Sequence, residues 1–156
     1  MLENNNRVPS ITTIESDAWK DIKDGVRTLC NNFPGEYWRK LDSAREYPKK
    51  FVKALTDAGY LASLIPEKYG GSGLPLEAAC VILEEIQRSG GNGAACHAQM
   101  YIMGALLRHG SEEQKDKYLP KIASGELRLQ AFGVTEPDAG TDTLSIRTKA
   151  VKVKNG

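Results

Sequence analysis

The chain has 156 residues, enough for one domain or one and a fraction, and 40% of them are hydrophobic, so a sizeable core can be buried. Its 21 basic and 20 acidic residues leave a net charge of +1, which argues against nucleic-acid binding by bulk charge. Aromatic residues make up 7%, too few for a stacking platform that would hold single strands.

Cys30, Cys80 and Cys96 are an odd number at wide spacing, without a Cys-x-x-Cys pair. A disulfide framework or structural zinc site is disfavoured, and a reducing compartment follows. His97 and His109 stand twelve apart with no acidic residue at ligand spacing, so no metal site is expected. Met1 to Ser10 lacks a basic stretch followed by an apolar one and does not read as a secretory signal. The longest apolar run, Ala94 to Leu107, is too short for a bilayer, which needs about 20 apolar residues. The expected protein is soluble and cytoplasmic, with no membrane or nucleic-acid partner.

After a flexible tail over 1–11, Thr12 and Glu15 have capping-box spacing and predict a helix start. Trp19, Ile22, Val26, Leu29 and Phe33 then recur at steps of three and four, one stripe facing a core, until Pro34-Gly35 ends the helix. Residues 36–47 suit a short helix. Pro48 suits the first position of another, with Phe51, Val52, Leu55 and Ala58 on its apolar face and Gly59 as its left-handed cap.

Tyr69-Gly70-Gly71-Ser72-Gly73 is a loop, but no Lys-Ser/Thr follows, so it is not a phosphate-binding P-loop. Leu76, Ala79, Cys80, Leu83 and Ile86 mark a helix stopped by Gly90-Gly91. Ala94 to Leu107 is apolar nearly all round and predicts a central helix covered on most sides. Ser111 and Gln114 form a second capping box, and Pro120 predicts a break before an end at Gly125.

Beyond Gly125 the period changes to two. Leu127, Leu129 and Ala131 alternate with Arg128, Gln130 and Phe132, a strand pattern, and Leu144 to Lys154 is β-prone with a slip in phase. The final Asn155-Gly156 is a hairpin turn without a return strand. The domain expectation is therefore a mainly α fold: a helical bundle over 12–125, then an incomplete β segment over 126–156 that belongs to a longer protein.

The segment Gln130 to Asp142 (QAFGVTEPDAGTD) reads as a strand running into a loop of small and hydroxyl residues. Gly133 and Gly140 admit close approach to the backbone, and Thr135 and Thr141 offer hydroxyls. On spacing alone, the same residues also suit a plain polar turn. Three acids in that turn, Glu136, Asp138 and Asp142, read as turn formers rather than a catalytic base. Arg147, Lys149, Lys152 and Lys154 read as a solvated strand face. Cys96 reads as an inert buried thiol, and His97, Met100 and Met103 as core packing.

The run from Thr135 to Asp142 resembles the flavin loop of the acyl-CoA dehydrogenases. So do two upstream stretches, in the same order: Ala58 to Leu61 with Ile65 to Leu74, and His109 to Lys115 with Tyr118 to Pro120 and Ser124 to Glu126. The resemblance covers residues 12–156. It implies a helical N-terminal domain of that family's type leading into a β-barrel domain. FAD is the implied cofactor, an acyl-CoA the implied substrate and an electron-transfer flavoprotein the implied acceptor.

It also implies α-proton removal by a carboxylate, with hydride transfer to the flavin. That catalytic base is expected beyond residue 156, so no catalytic residue is assigned here. Carried over by motif, Phe132, Gly133, Val134, Thr135, Gly140 and Thr141 contact FAD, and Thr141 and Tyr101 contact substrate. Asp138 stands where many members have another residue. Members are usually homo-oligomers. The related flavin monooxygenases and acyl-CoA oxidases are the alternative enzyme reading, and a non-catalytic helical interaction module is the alternative of another class.

Overall fold

The computed structural model describes residues 19–154. Six helices follow in order: α1 (Lys20–Cys30), α2 (Gly35–Ala44), α3 (Lys49–Asp57), α4 (Leu76–Arg88), α5 (Ala94–His109) and α6 (Glu112–Ser124). Short 3-10 turns over Tyr60–Ala62 and Glu67–Tyr69 join α3 to α4. The Thr12–Glu15 box and the Asn155-Gly156 turn lie outside the described residues.

The core is the sum of the predicted stripes. Val26 of α1, Phe51, Val52 and Leu55 of α3, Leu61, Ile65, Ile82, Ile86, Met103, Leu119 and Ile122 are almost fully buried together. Helix α1 packs along α4, and α6 lies against α3, α5 and both 3-10 turns. Phe33, Tyr37, Trp38 and Phe51 pack edge to face with centroids 4.8–5.2 Å apart, joining the turn after α1 to α2 and α3. Glu85 is buried, and Arg27 of α1 donates to both of its oxygens, Nε to Oε1 at 2.9 Å and Nη2 to Oε2 at 3.2 Å. The pairing keeps a charge inside the α1–α4 seam from being stranded.

The glycine-rich loop is part of the scaffold. Its amides fold back on the preceding turn: Ser72 N–H donates to Ala62 O at 3.3 Å, Gly73 N–H to Ile65 O at 2.8 Å and Leu74 N–H to Ser63 O at 2.8 Å. Gly59 takes φ +79° beyond α3, as expected of a left-handed cap.

Four expectations need correction. Pro48 precedes α3 instead of opening it, and its carbonyl accepts from Val52 N–H at 3.0 Å. The Ser111–Gln114 box forms, but Pro120 does not break α6, which runs on to Ser124. Pro120 is exposed, as is Asp116, so the carbonyl that the ring leaves without a helical donor can meet water. Helix α5 is buried on one side only, through Cys96, Gln99, Met100 and Met103, while His97, Tyr101 and Ala105 are exposed. Finally, no strand forms among the described residues after Gly125; the single bridge there joins Glu136 and Ala139. A strand needs a neighbour to complete its ladder, and residues 127–154 offer each other none.

Candidate functional site

The segment after α6 is fastened to the helices through both of its side-chain rows. Leu127 and Leu129 pack on the core. Between them, half-buried Arg128 donates to Thr56 Oγ1 of α3 at 2.9 Å and to Gln99 Oε1 of α5 at 3.4 Å. Gln99 in turn donates to Leu61 O at 3.4 Å. One step on, Gln130 Oε1 accepts from the Tyr47 hydroxyl at 2.7 Å. These partners are 83 and 72 residues from the segment, so no local pattern announces them.

Past Gln130 the chain reaches the exposed face of α5. Phe132 stands edge-on to Tyr101 with centroids 4.9 Å apart, and Tyr101 edge-on to His97 at 5.0 Å. A substrate candidate and a cofactor candidate from the sequence are thus in direct contact. His97, expected in the core, is exposed and packs edge-on to Tyr101 instead. Met100 and Met103 are buried packing residues, as expected.

His97 and Tyr101 also line a cleft of about 680 Å³, together with Arg45, Tyr47, Ala94 and Gln130 among others. It is large enough for a small organic ligand, and it mixes aromatic faces with a few polar groups.

The remaining flavin candidates lie further along. Val134, Thr135, Gly140 and Thr141 are exposed, and a Cβ built on Gly133 or Gly140 would meet no atom within 4 Å. Open glycine backbone, two outward hydroxyls and the exposed apolar surface of Phe132 and Val134 make a donor-rich, partly apolar strip. That chemistry fits one edge and face of a flavin ring.

The acids nearby are occupied. Glu136 accepts from the Arg147 and Thr148 amides, each at 2.8 Å, and from the Thr148 hydroxyl. Those bonds, the Arg147 N–H foremost, hold its carboxyl below the usual range. Asp142 accepts from Leu144 N–H at 3.2 Å, and Asp138 pairs with Arg147 at 3.7 Å in solvent. None is placed as a free base. Lys149, Lys152 and Lys154 are exposed, in keeping with a solvated face. Cys96 is buried, which pushes its thiol up to about 12.

Residues 16–126 match the family model described as acyl-CoA dehydrogenase, N-terminal domain. The chain belongs to the acyl-CoA dehydrogenase family. Isovaleryl-CoA dehydrogenase, mitochondrial, of Solanum tuberosum is 33% identical over 152 residues, which are 94% of this chain and 36% of that protein. The solved acyl-CoA dehydrogenase of Bacillus anthracis, complexed with FAD, is 30% identical with a TM-score of 0.66, over 84% of this chain and 23% of that one. A structure described as an electron transferring flavoprotein of Acidaminococcus fermentans is 29% identical with a TM-score of 0.74, over 90% and 37% of the two chains. The present chain therefore spans about a third of the length of the curated relatives it matches. Members of the family are FAD-dependent. The plant relative is mitochondrial, a compartment other than the one expected here. Among the described residues no helix is long and apolar enough to cross a membrane.

Proposed function

We propose that this chain is the N-terminal third of an FAD-dependent acyl-CoA dehydrogenase, which oxidises an acyl-CoA thioester to the 2,3-enoyl-CoA. The observation that carries the reading is the contact between Phe132 and Tyr101, a residue that lines the cleft, so that a substrate candidate and a cofactor candidate are linked. In this reading Phe132, Gly133, Val134, Thr135, Gly140 and Thr141 hold the cofactor, and Tyr101 and Thr141 bound the substrate. When bound, FAD supplies the acceptor for a hydride. The residues of this chain bind, orient and exclude water; Glu136, Asp138 and Asp142 are engaged in hydrogen bonds and an ion pair and are not assigned as the carboxylate base. Family resemblance to isovaleryl- and glutaryl-CoA dehydrogenases supports a CoA thioester as the substrate class.

Electron-transfer flavoprotein is the proposed acceptor, a homo-oligomer the proposed assembly and the cytoplasm the proposed compartment, in line with three unbridged cysteines. The test is Thr135→Val in the full-length enzyme. Loss of a hydroxyl bonded to flavin should weaken FAD binding by about 1–3 kcal/mol. Unchanged flavin affinity and an unchanged rate of flavin reduction would refute the assignment. Oxygen consumption in step with turnover would replace it with the oxidase reading.

A further inference from the structure

The loop that carries Gly140 and Thr141 has its two ends tied together by one side chain. Glu136 stands at the start. Arg147 N–H donates to its Oε2 and Thr148 N–H to its Oε1, both at 2.8 Å, and the Thr148 hydroxyl donates to Oε1 as well. Inside the closure, the backbones of Glu136 and Ala139 exchange two hydrogen bonds, at 3.0 and 3.2 Å, and Ala139 is buried. Asp142 then caps the 3-10 turn Thr143–Ser145.

Three features separate this from an ordinary surface ion pair. The partner at Arg147 is the backbone N–H, while its guanidinium faces Asp138 in solvent. A carboxylate is acceptor-only, so one side chain satisfies three donors, which an amide or an alcohol cannot do. And little else holds this stretch: Leu144 is 97% exposed, and no strand ladder runs through residues 136–148.

We propose that Glu136 is a positioning residue that closes residues 136–148 into a preformed loop, presenting Thr135, Gly140 and Thr141 to the cofactor. The proposal rests on the reading that this loop meets FAD. Ordering a free loop of a dozen residues at the moment of binding would weaken binding; closing it during folding moves that cost away from the ligand. The motif's glutamate thus has a role that uses its charge without proton transfer. Its lone pairs are spent on amides, the reverse of what a base needs.

Amide hydrogen exchange on the 156-residue chain tests the closure without any cofactor. In Glu136→Gln one oxygen becomes a donor facing a donor, and the Arg147 and Thr148 amides should exchange about tenfold faster. The core amides of Val52 and Ile82 should not change. Thr148→Val should give part of that effect and Thr148→Ser should restore protection. FAD titration of the full-length enzyme tests the positioning. Glu136→Gln should raise the dissociation constant about tenfold, while turnover at saturating FAD returns towards the parent value with the same pH profile.

Unchanged exchange at Arg147 and Thr148 would overturn the closure. Faster exchange with unchanged FAD affinity would overturn the positioning role. Thr135→Val in the same titration keeps the two failures apart: if it weakens FAD binding and Glu136→Gln does not, the loop meets the flavin and only the role of Glu136 falls. Lost turnover at saturating FAD with a shifted pH profile would make Glu136 a proton carrier and refute the proposal as stated.

Discussion

Replacing Gly71 by alanine should unseat the turn that joins α3 to α4. A Cβ at Gly71 would stand 2.1 Å from Ile65 O, 2.5 Å from Ala62 O and 2.5 Å from Ile65 Cβ. Non-bonded carbons rest at about 3.5–4.0 Å, so the approach to Ile65 Cβ alone is about 1 Å too close, and all three atoms are backbone or attached to it. Rotating a side chain cannot relieve it; residues 70–74 must lift. Lifting breaks the bonds from Ser72, Gly73 and Leu74 to Ala62, Ile65 and Ser63. At about 1 kcal/mol each, that is about 3 kcal/mol, before any opening of the buried Ile65 to water. For a domain of this size the loss lowers Tm by roughly 10 °C. Gly104 is the internal control. It lies within α5, and an added Cβ meets nothing within 4 Å, so Gly104→Ala should stabilise by about 0.5–1 kcal/mol. Thermal unfolding followed by circular dichroism measures both. A Gly71→Ala protein that melts with the parent would refute the packing of this loop.

Two further outcomes follow from the titrating groups. Cys80 is exposed, whereas burial raises the thiols of Cys30 and of Cys96, the latter to about 12. Iodoacetamide at about pH 8 should therefore alkylate Cys80 alone until the protein is denatured, and mass spectrometry of native-labelled peptides would expose an error at once. Glu136 has its folded pKa lowered, so its contribution is present above the unfolded carboxyl range near about 4.3 and is lost as pH falls through the lower folded value. The charged groups beside it are Asp138 and Arg147, already paired with each other. Protection of the Arg147 and Thr148 amides should thus persist through the ordinary glutamate range and disappear only in stronger acid; disappearance above that range would contradict the closure.

The helices were readable because each repeats a local rule. The α1 stripe from Ile22 to Leu29, the Ser111–Gln114 box and the Gly59 cap depend on neighbours three or four residues away and are found where the pattern puts them, although α1 ends at Cys30, short of the expected stop at Pro34-Gly35, which instead opens α2. Pro120 misled because the rule against proline assumes that the freed carbonyl is buried; here that position faces water. The exposure of Tyr101 and His97 could not be read from α5 alone. An apolar helix says what it would like covered, not which neighbour is present to cover it. The strand pattern after Gly125 failed for the complementary reason: alternation specifies a face, while a ladder needs a second strand. Within the candidate site, the hydroxyls and glycines were visible as residue types. The anchors that position them were not, since Tyr47 with Gln130 and Thr56 with Arg128 meet only through the folded chain.

The fastening of Arg128 and Gln130 has a mechanical meaning. Composition changes at Gly125, yet the four residues from Leu127 to Gln130 are held by the core, α3, α5 and Tyr47. Leu127 to Gln130 should ride with the helices as one body, and the first exposed residue beyond them is Ala131. Trimming the helical unit at Gly125 would strip two leucines from its core and leave Thr56 and Gln99 without their guanidinium. Carrying it through Gln130 keeps that seal, and puts any pivot one residue short of the ring that touches Tyr101.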